Sequence, residues 1–202
     1  MSDPHETLRS DPHVGPLVER HGRLVIDPAP NFFERFVVSV IRQQVSMASA
    51  AATRERLFDA VEVTPDGILA ADTEVLRNAG LSRQKTRYVK NIADAFVERE
   101  YDAAFFAEMD DEAVLDELTS ITGVGTWTAK MQLMFSLGRE DVFPVEDLGI
   151  RKGMTALFGE ELNRPEMVER STAWRPYRSY ASLYLWGVEE GFEETIAEVR
   201  TD

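Results

Sequence analysis

The sequence contains no cysteine, only four lysines (Lys85, Lys90, Lys130 and Lys152), and no histidine beyond residue 21. The first absence excludes disulfides, thiolate zinc sites, cysteine nucleophiles and cysteine-ligated iron–sulfur clusters together. Because His5, His13 and His21 all fall near the start, a histidine-rich metal site in the body of the chain is excluded, and solvated positions are expected for the three. No apolar run approaches the ~20 residues needed to cross a bilayer, so no membrane partner is expected. The opening segment carries Asp3, Glu6, Asp11 and Glu19 and lacks the basic stretch followed by an apolar one that marks a secretory signal. A cytoplasmic protein is the expectation.

Basic residues are also in deficit, 22 against 36 acidic ones, for a net charge of −14. On its face this opposes binding to a polyanion. An acidic, lysine-poor surface is also the composition of proteins from very saline cytoplasm, where the screening length falls from ~10 Å to ~3 Å. A halophilic setting would make local charge matter more than the global balance. Locally, Arg83, Lys85, Arg87 and Lys90 gather four cations with no acid among them.

What is present is helical patterning in a chain of 202 residues with 44% hydrophobic content, enough for a substantial core. Phe33, Phe36, Val37, Val40, Ile41 and Gln44 recur at the spacing of one helix face, with Asn31 as cap and Glu34 three residues on. Thr64-Pro65 and Asp72 open two short helices, Gly80 stops the second, and Ser82 caps a third through Tyr88, Val89, Ile92 and Phe96. Val114, Leu115, Leu118 and Ile121 mark another, and Asn163-Pro165 and the stripe Tyr177, Tyr180, Ala181, Tyr184, Leu185 mark the last third. No segment alternates as a strand. The fold expected is all-α and two-lobed, with residues 31–137 in one lobe, 1–30 plus 138–202 in the other, and the active cleft between them. The break is placed in the loop from Gly138 to Glu146.

One segment carries chemistry. Between Leu118 and Lys130 a helix ends near Ile121, Gly123-Val124-Gly125 forms a tight turn, and a second helix starts near Thr126. Two glycines allow close backbone approach, and the free amides and positive dipole end of the second helix face whatever anion sits there. An ordinary helix–turn–helix corner is the alternative reading of the same residues.

Four stretches in order, Val40-Ile-Arg-Gln-Gln-Val-Ser46, Gly80-Leu-Ser-Arg-Gln-Lys85 with Tyr88, the hairpin, and Asp141-Val-Phe-Pro-Val-Glu-Asp-Leu-Gly-Ile-Arg-Lys152, give the chain a resemblance to a known family. Trp174-Arg-Pro-Tyr-Arg-Ser-Tyr-Ala181 and Trp186 close the pattern. From about Leu17 to Trp186 the sequence resembles the helix-hairpin-helix (HhH-GPD) DNA glycosylases, in the branch similar to DNA-3-methyladenine glycosylase II. The larger bacterial members of that branch carry an N-terminal β-rich domain for which this chain has no match, so pocket residues from it are expected to be missing.

The resemblance implies a set of roles. Gly123, Val124, Gly125, Thr126, Thr128 and Lys130, with Arg83 and Lys85, would contact double-stranded DNA carrying a damaged base. No cofactor is required, but carbonyls of Thr119, Ile121 and Val124 would hold a monovalent cation (Na or K). Thr122 stands where the family usually has proline, which loosens the turn. Asp147 matches the family's essential aspartate, whose carboxylate stabilises positive charge on the sugar as the N-glycosidic bond breaks. The other readings of that position are a helix cap and confusion with its neighbour Glu146. Trp127 and Trp186 match the pocket that stacks the flipped base, with Met131 and Gln44 lining it and Leu81 in the wedge-like loop; Gln43 and Gln44 read equally as core amides, and Leu81 as a buried leucine. Trp127 also stands where strand-cutting members carry a lysine nucleophile, and tryptophan forms no Schiff base.

The function expected is therefore monofunctional excision of alkylated purines in base excision repair by a monomer. The alternatives are a non-catalytic helix-hairpin-helix DNA-binding protein and a glycosylase for uracil or deaminated purines. Composition yields its own prediction. Screening of the acidic surface should make DNA affinity fall unusually shallowly with added salt, and should raise the thermal midpoint as self-repulsion is screened. Titrating both from low to molar potassium chloride checks this, and a steep loss of affinity with a salt-insensitive midpoint would contradict it.

Overall fold

The computed structural model describes residues 3–188, and among them it contains helices and no strand. The α-helices are α1 (Pro4–Arg9), α2 (Gly15–His21), α3 (Phe32–Arg42), α4 (Met47–Ala60), α5 (Pro65–Ala70), α6 (Thr73–Asn78), α7 (Arg83–Arg99), α8 (Asp111–Thr119), α9 (Thr126–Phe135), α10 (Leu148–Phe158), α11 (Arg164–Ser171) and α12 (Arg178–Trp186). None of the described helices is long and apolar enough to cross a membrane.

The starts follow from local chemistry. Asn31 Oδ1 accepts from the Glu34 amide at 3.1 Å while Asn31 Nδ2 donates to Glu34 Oε1 at 2.6 Å, so α3 opens with a reciprocal cap. Side-chain oxygens of Ser46, Thr64, Asp72, Ser82, Asp110 and Asn163 cap α4, α5, α6, α7, α8 and α11 in turn. Each such cap contributes about 1 kcal/mol.

The chain divides into two compact units. One is Ala29–Gln132; the other joins the chain up to Pro28 with the chain from Leu133 onward. The division thus falls within α9, upstream of the Gly138–Glu146 loop, because that loop is tied by hydrogen bonds to α12 of the second unit.

In the first unit α7 lies against α3 and α5, and α4 against α3. Its centre is aromatic: Phe36, Phe96, Tyr101 and Phe106 are buried, with successive ring centroids 5.0 to 5.9 Å apart. Such ring pairs add about 0.5–1.5 kcal/mol each beyond area burial. In the second unit α10 and α1 lie against α12 around Trp174, Tyr184, Leu8 and Met154. His5 is buried there, only 3% exposed, contrary to the solvated position expected of it. Its Nε2 lies 2.7 Å from the Leu24 carbonyl and its Nδ1 3.2 Å from Asp3 Oδ1, so an acceptor is at hand for the ring N–H inside the unit.

The loop before α10 is fastened by two adjacent residues of α12. Arg178 grips Asp141 with Nε to Oδ1 at 2.7 Å and Nη2 to Oδ2 at 3.0 Å, a bidentate pair. Ser179 is fully buried; its Oγ donates to the Arg139 carbonyl at 2.7 Å and accepts from the Val142 amide at 2.8 Å. Replacing Ser179 with alanine strands a buried amide, which costs about 1–3 kcal/mol. Thermal unfolding of Ser179→Ala should show a midpoint lower by roughly 3 to 10 °C, and an unchanged midpoint would mean that the loop is held by other contacts.

Candidate functional site

The hairpin joins α8 to α9, and its backbone is shaped by glycine. Gly123 has φ +109, and a Cβ there would lie 2.3 Å from ring atoms of Tyr88, so only glycine fits. Val124 N–H donates to the Ile121 carbonyl at 3.0 Å, closing the turn. Gly125 precedes α9 as its cap, its carbonyl accepting from Ala129 N–H at 3.0 Å. Unlike the capped helices above, α9 has no side-chain oxygen at its cap, because glycine carries none. A Cβ on Gly125 would meet nothing within 4 Å, so the approach to the first amides of α9 is open. Those amides have no partner within the helix and sit at the positive end of its dipole.

The hairpin is braced from behind by side chains of its own unit. Asn91 Nδ2 donates to the Thr122 carbonyl at 3.0 Å, and Gln43 Nε2 donates to Thr128 Oγ1 at 3.0 Å and to the Gly123 carbonyl at 3.4 Å. These bonds also redistribute the residues expected on DNA. Thr128 is buried, 2% exposed, and serves the brace; Val124 has its amide in the turn and its side chain in the core. Gly125 and Thr126 are exposed, and Lys130 is half-buried.

The basic stretch of α7 also splits. Lys85 Nζ donates to the Ile41 carbonyl at the end of α3, and burial pushes its ammonium pKa down. Lys90 Nζ donates to the Ala71 carbonyl at 2.9 Å, beyond the end of α5. Both lysines satisfy carbonyls at helix C-termini, where cations are favoured by the dipole, so Lys85 is not a surface contact as expected. Arg83 and Arg87 remain exposed, the latter over the Tyr88 ring.

Of the expected pocket residues in this unit, Trp127 is half-buried in the first turn of α9. Met131 is 5% exposed and packs inside. Gln44 does not continue the α3 face: the helix ends at Arg42, and Gln44 is exposed with φ +57, a left-handed conformation uncommon outside glycine. Leu81 is 3% exposed and belongs to the core, so it is no wedge; its N–H donates to the Leu76 carbonyl at 3.3 Å across the Gly80 turn. The carbonyls of Thr119, Ile121 and Val124 are neutral oxygens, a donor set suited to a monovalent cation, and Ile121 keeps a second lone pair beside its turn bond.

In the second unit the loop fastened to α12 delivers Asp147. Its Oδ1 accepts from the Ile150 amide at 3.1 Å, so Asp147 does cap α10. The same oxygen accepts from Trp186 Nε1 at 2.9 Å. Trp186 ends α12 and is half-buried, its ring centroid 5.9 Å from that of Phe135. Arg151 Nη1 donates to the Val145 carbonyl at 3.3 Å and also to that of Glu146, fixing the backbone that enters the cap. Leu148, the next residue, is 59% exposed, so the cap lies at the surface of its unit.

Sequence reasoning passed over Gly149. A Cβ there would lie 2.8 Å from Trp186 Cδ1 and 3.1 Å from Asp147 Oδ1. The signal was available, since glycine in the first turn of a helix is a poor choice unless something occupies the space of its side chain. Asn91 was unassigned and Gln43 was read only as a core amide, and their polar character gives no hint of a bond to the hairpin from 30 or more residues away.

The chain is similar to known proteins. The DNA-3-methyladenine glycosylase 1 of Schizosaccharomyces pombe is 33% identical over 162 residues, 76% of this chain and 71% of that protein. A putative DNA-3-methyladenine glycosylase of Bacillus subtilis is 32% identical over 158 residues, and the match spans 73% of this chain but only 55% of that protein. The solved structure of the Schizosaccharomyces pombe 3-methyladenine DNA glycosylase in complex with abasic DNA superposes with a TM-score of 0.84 at 28% identity, covering 92% of this chain and 95% of that one. A family model matches residues 37–176, and on that match the chain belongs to the HhH-GPD superfamily of base excision DNA repair proteins.

Proposed function

We propose that this protein is a monofunctional DNA glycosylase that hydrolyses the N-glycosidic bond of alkylated purines, of the 3-methyladenine kind, in base excision repair. The observation that carries the reading is Asp147: a carboxylate at the rim of its unit, held on one oxygen by both a helix amide and an indole N–H. A group so fixed is suited to face developing positive charge. The relatives named as 3-methyladenine glycosylases supply the substrate class.

The reaction follows from the chemistry of the bond. The C1′–N bond breaks with its electron pair leaving on the base, the sugar becomes oxocarbenium-like, and the Asp147 carboxylate stabilises it. Water then adds to C1′ and its proton passes to the carboxylate or to solvent. An alkylated purine is already electron-poor, so it is a good leaving group and stacks well on an indole face. Trp127, half-buried beside the hairpin cap, would supply that face. A base must first leave the duplex, and the hairpin amides of Gly125 and Thr126 hold the phosphate next to it. Thr119, Ile121 and Val124 would hold a monovalent cation whose positive charge strengthens that phosphate contact. Arg83, Arg87 and Lys130 add charge around it. Gln44, exposed in its left-handed turn beside the brace residue Gln43, is the side chain of that loop presented to DNA. The protein acts as a monomer.

Asp147→Asn removes the charge and keeps the shape. Single-turnover excision should fall by about a hundred- to a thousandfold while affinity for DNA is retained, and Glu146→Gln should change the rate far less. Wild-type excision by Asp147→Asn would remove the catalytic assignment. Retained binding with no excision by the unaltered protein would favour a purely DNA-gripping module.

Trp127 leaves no amine at the position where a lyase needs one. Borohydride added during turnover should trap no covalent protein–DNA complex, and the product should be an intact strand with an abasic site. A trapped adduct at Lys130 or another lysine would establish strand-cutting chemistry instead.

A further inference from the structure

We infer that Trp186 is a positioning residue for the Asp147 carboxylate, seated by the absent side chain of Gly149, rather than only a face on which a base stacks. The inference rests on the catalytic reading of Asp147 and deepens it. Trp186 Nε1 lies 2.9 Å from Asp147 Oδ1, the oxygen that also takes the Ile150 amide at 3.1 Å.

A single donor from the helix end would leave the carboxylate plane free to turn about the Cβ–Cγ bond. A second donor on the same oxygen, arriving from another helix, fixes the plane and therefore the direction of Oδ2. Indole is a donor only, so this bond cannot reverse its sense. Catalytic groups must be held within ~0.5 Å of their working geometry, which is what such a support provides.

The seat is built for this bond. A Cβ on residue 149 would stand 2.8 Å from Trp186 Cδ1 and 3.2 Å from its Nε1, closer than real contacts allow. A side chain at 149 would crowd both the indole and Asp147 Oδ1, 3.1 Å away, and so disturb the bond between them. Phe135 lies beside the ring at a tilt of 34°. Trp186 is also the last residue of the helix whose first turn, through Arg178 and Ser179, fastens the loop that leads to Asp147. One helix therefore controls the carboxylate from both directions: it anchors the chain entering the cap and supplies the second donor to the cap's oxygen.

Two measurements test the inference. In single-turnover excision, Trp186→Phe keeps an aromatic face and removes the N–H, while Gly149→Ala keeps every functional atom and displaces the indole. Both should lower the rate at saturating enzyme by about ten- to a hundredfold, the loss of one hydrogen bond to a charged group, with little change in affinity for lesion DNA. A rate at saturation equal to wild type, with only affinity reduced, would overturn the inference in favour of stacking alone.

The second measurement needs no substrate. In the DNA-free protein, the indole N–H resonances of Trp127, Trp174 and Trp186 can be followed by proton–nitrogen correlation. Asp147→Ser retains a capping hydroxyl for Ile150 but is too short to reach the indole. It should shift the Trp186 resonance upfield, as should Gly149→Ala, and leave those of Trp127 and Trp174 in place. An unmoved Trp186 resonance in both variants would overturn the inference even if no DNA substrate is ever cut, and a shifted one would uphold the bond even if the glycosylase reading failed.

Discussion

Asp147 Oδ1 carries two obligations at once, to the Ile150 amide of its own helix and to the Trp186 indole of another, and the second unit is arranged so that both can be met. The first obligation sets where α10 begins. The second requires α12 to end within reach, which in turn requires residue 149 to lack a side chain. The Arg178–Asp141 pair and the buried Ser179 hydroxyl then hold the intervening loop to the same helix. A helix cap and the catalytic role proposed for Asp147 would compete only if they needed the same oxygen, and both structural donors converge on Oδ1.

The other unit faces a different problem if it binds DNA as proposed, that of gripping a polyanion from a chain with a net charge of −14. Its answer relies on backbone more than on cations. Two glycines shape the turn, the α9 cap has no side chain to occupy its amides, and Gln43 and Asn91 hold the loop carbonyls back from that face. Lys85 and Lys90, the obvious cations nearby, are engaged with helix C-termini. Amide dipoles do not titrate and release fewer counterions than lysines would, so such a contact suits an acidic protein.

Much of this was legible in the sequence, and the reasons differ by residue. Asn31, Thr64, Asp72, Ser82 and Asn163 announced their helices because capping is a local bond over two or three positions. The glycine turn of the hairpin and the cap of α10 by Asp147 were legible too, being set by residues next to one another in the chain. What failed depended on distant partners. Lys85 read as a surface cation because nothing in its neighbourhood shows that Ile41 offers a carbonyl. His5 read as solvated because its partner Leu24 lies 19 residues on, and Gln44 read as helical because periodicity does not register where a helix stops. Leu81 followed a loop whose turn folds it inward, beneath Gly80 with φ +112. Gly149 shows the converse: its meaning lies in the indole that fills the space beside it.

In the proposed reaction a base leaves the sugar and the strand remains whole. Chromatography of the products from separate duplexes carrying 3-methyladenine, hypoxanthine or uracil measures both at once. Free 3-methyladenine should appear in step with alkali-labile, uncut abasic strands. Tight binding to all three duplexes with no free base from any of them would contradict it.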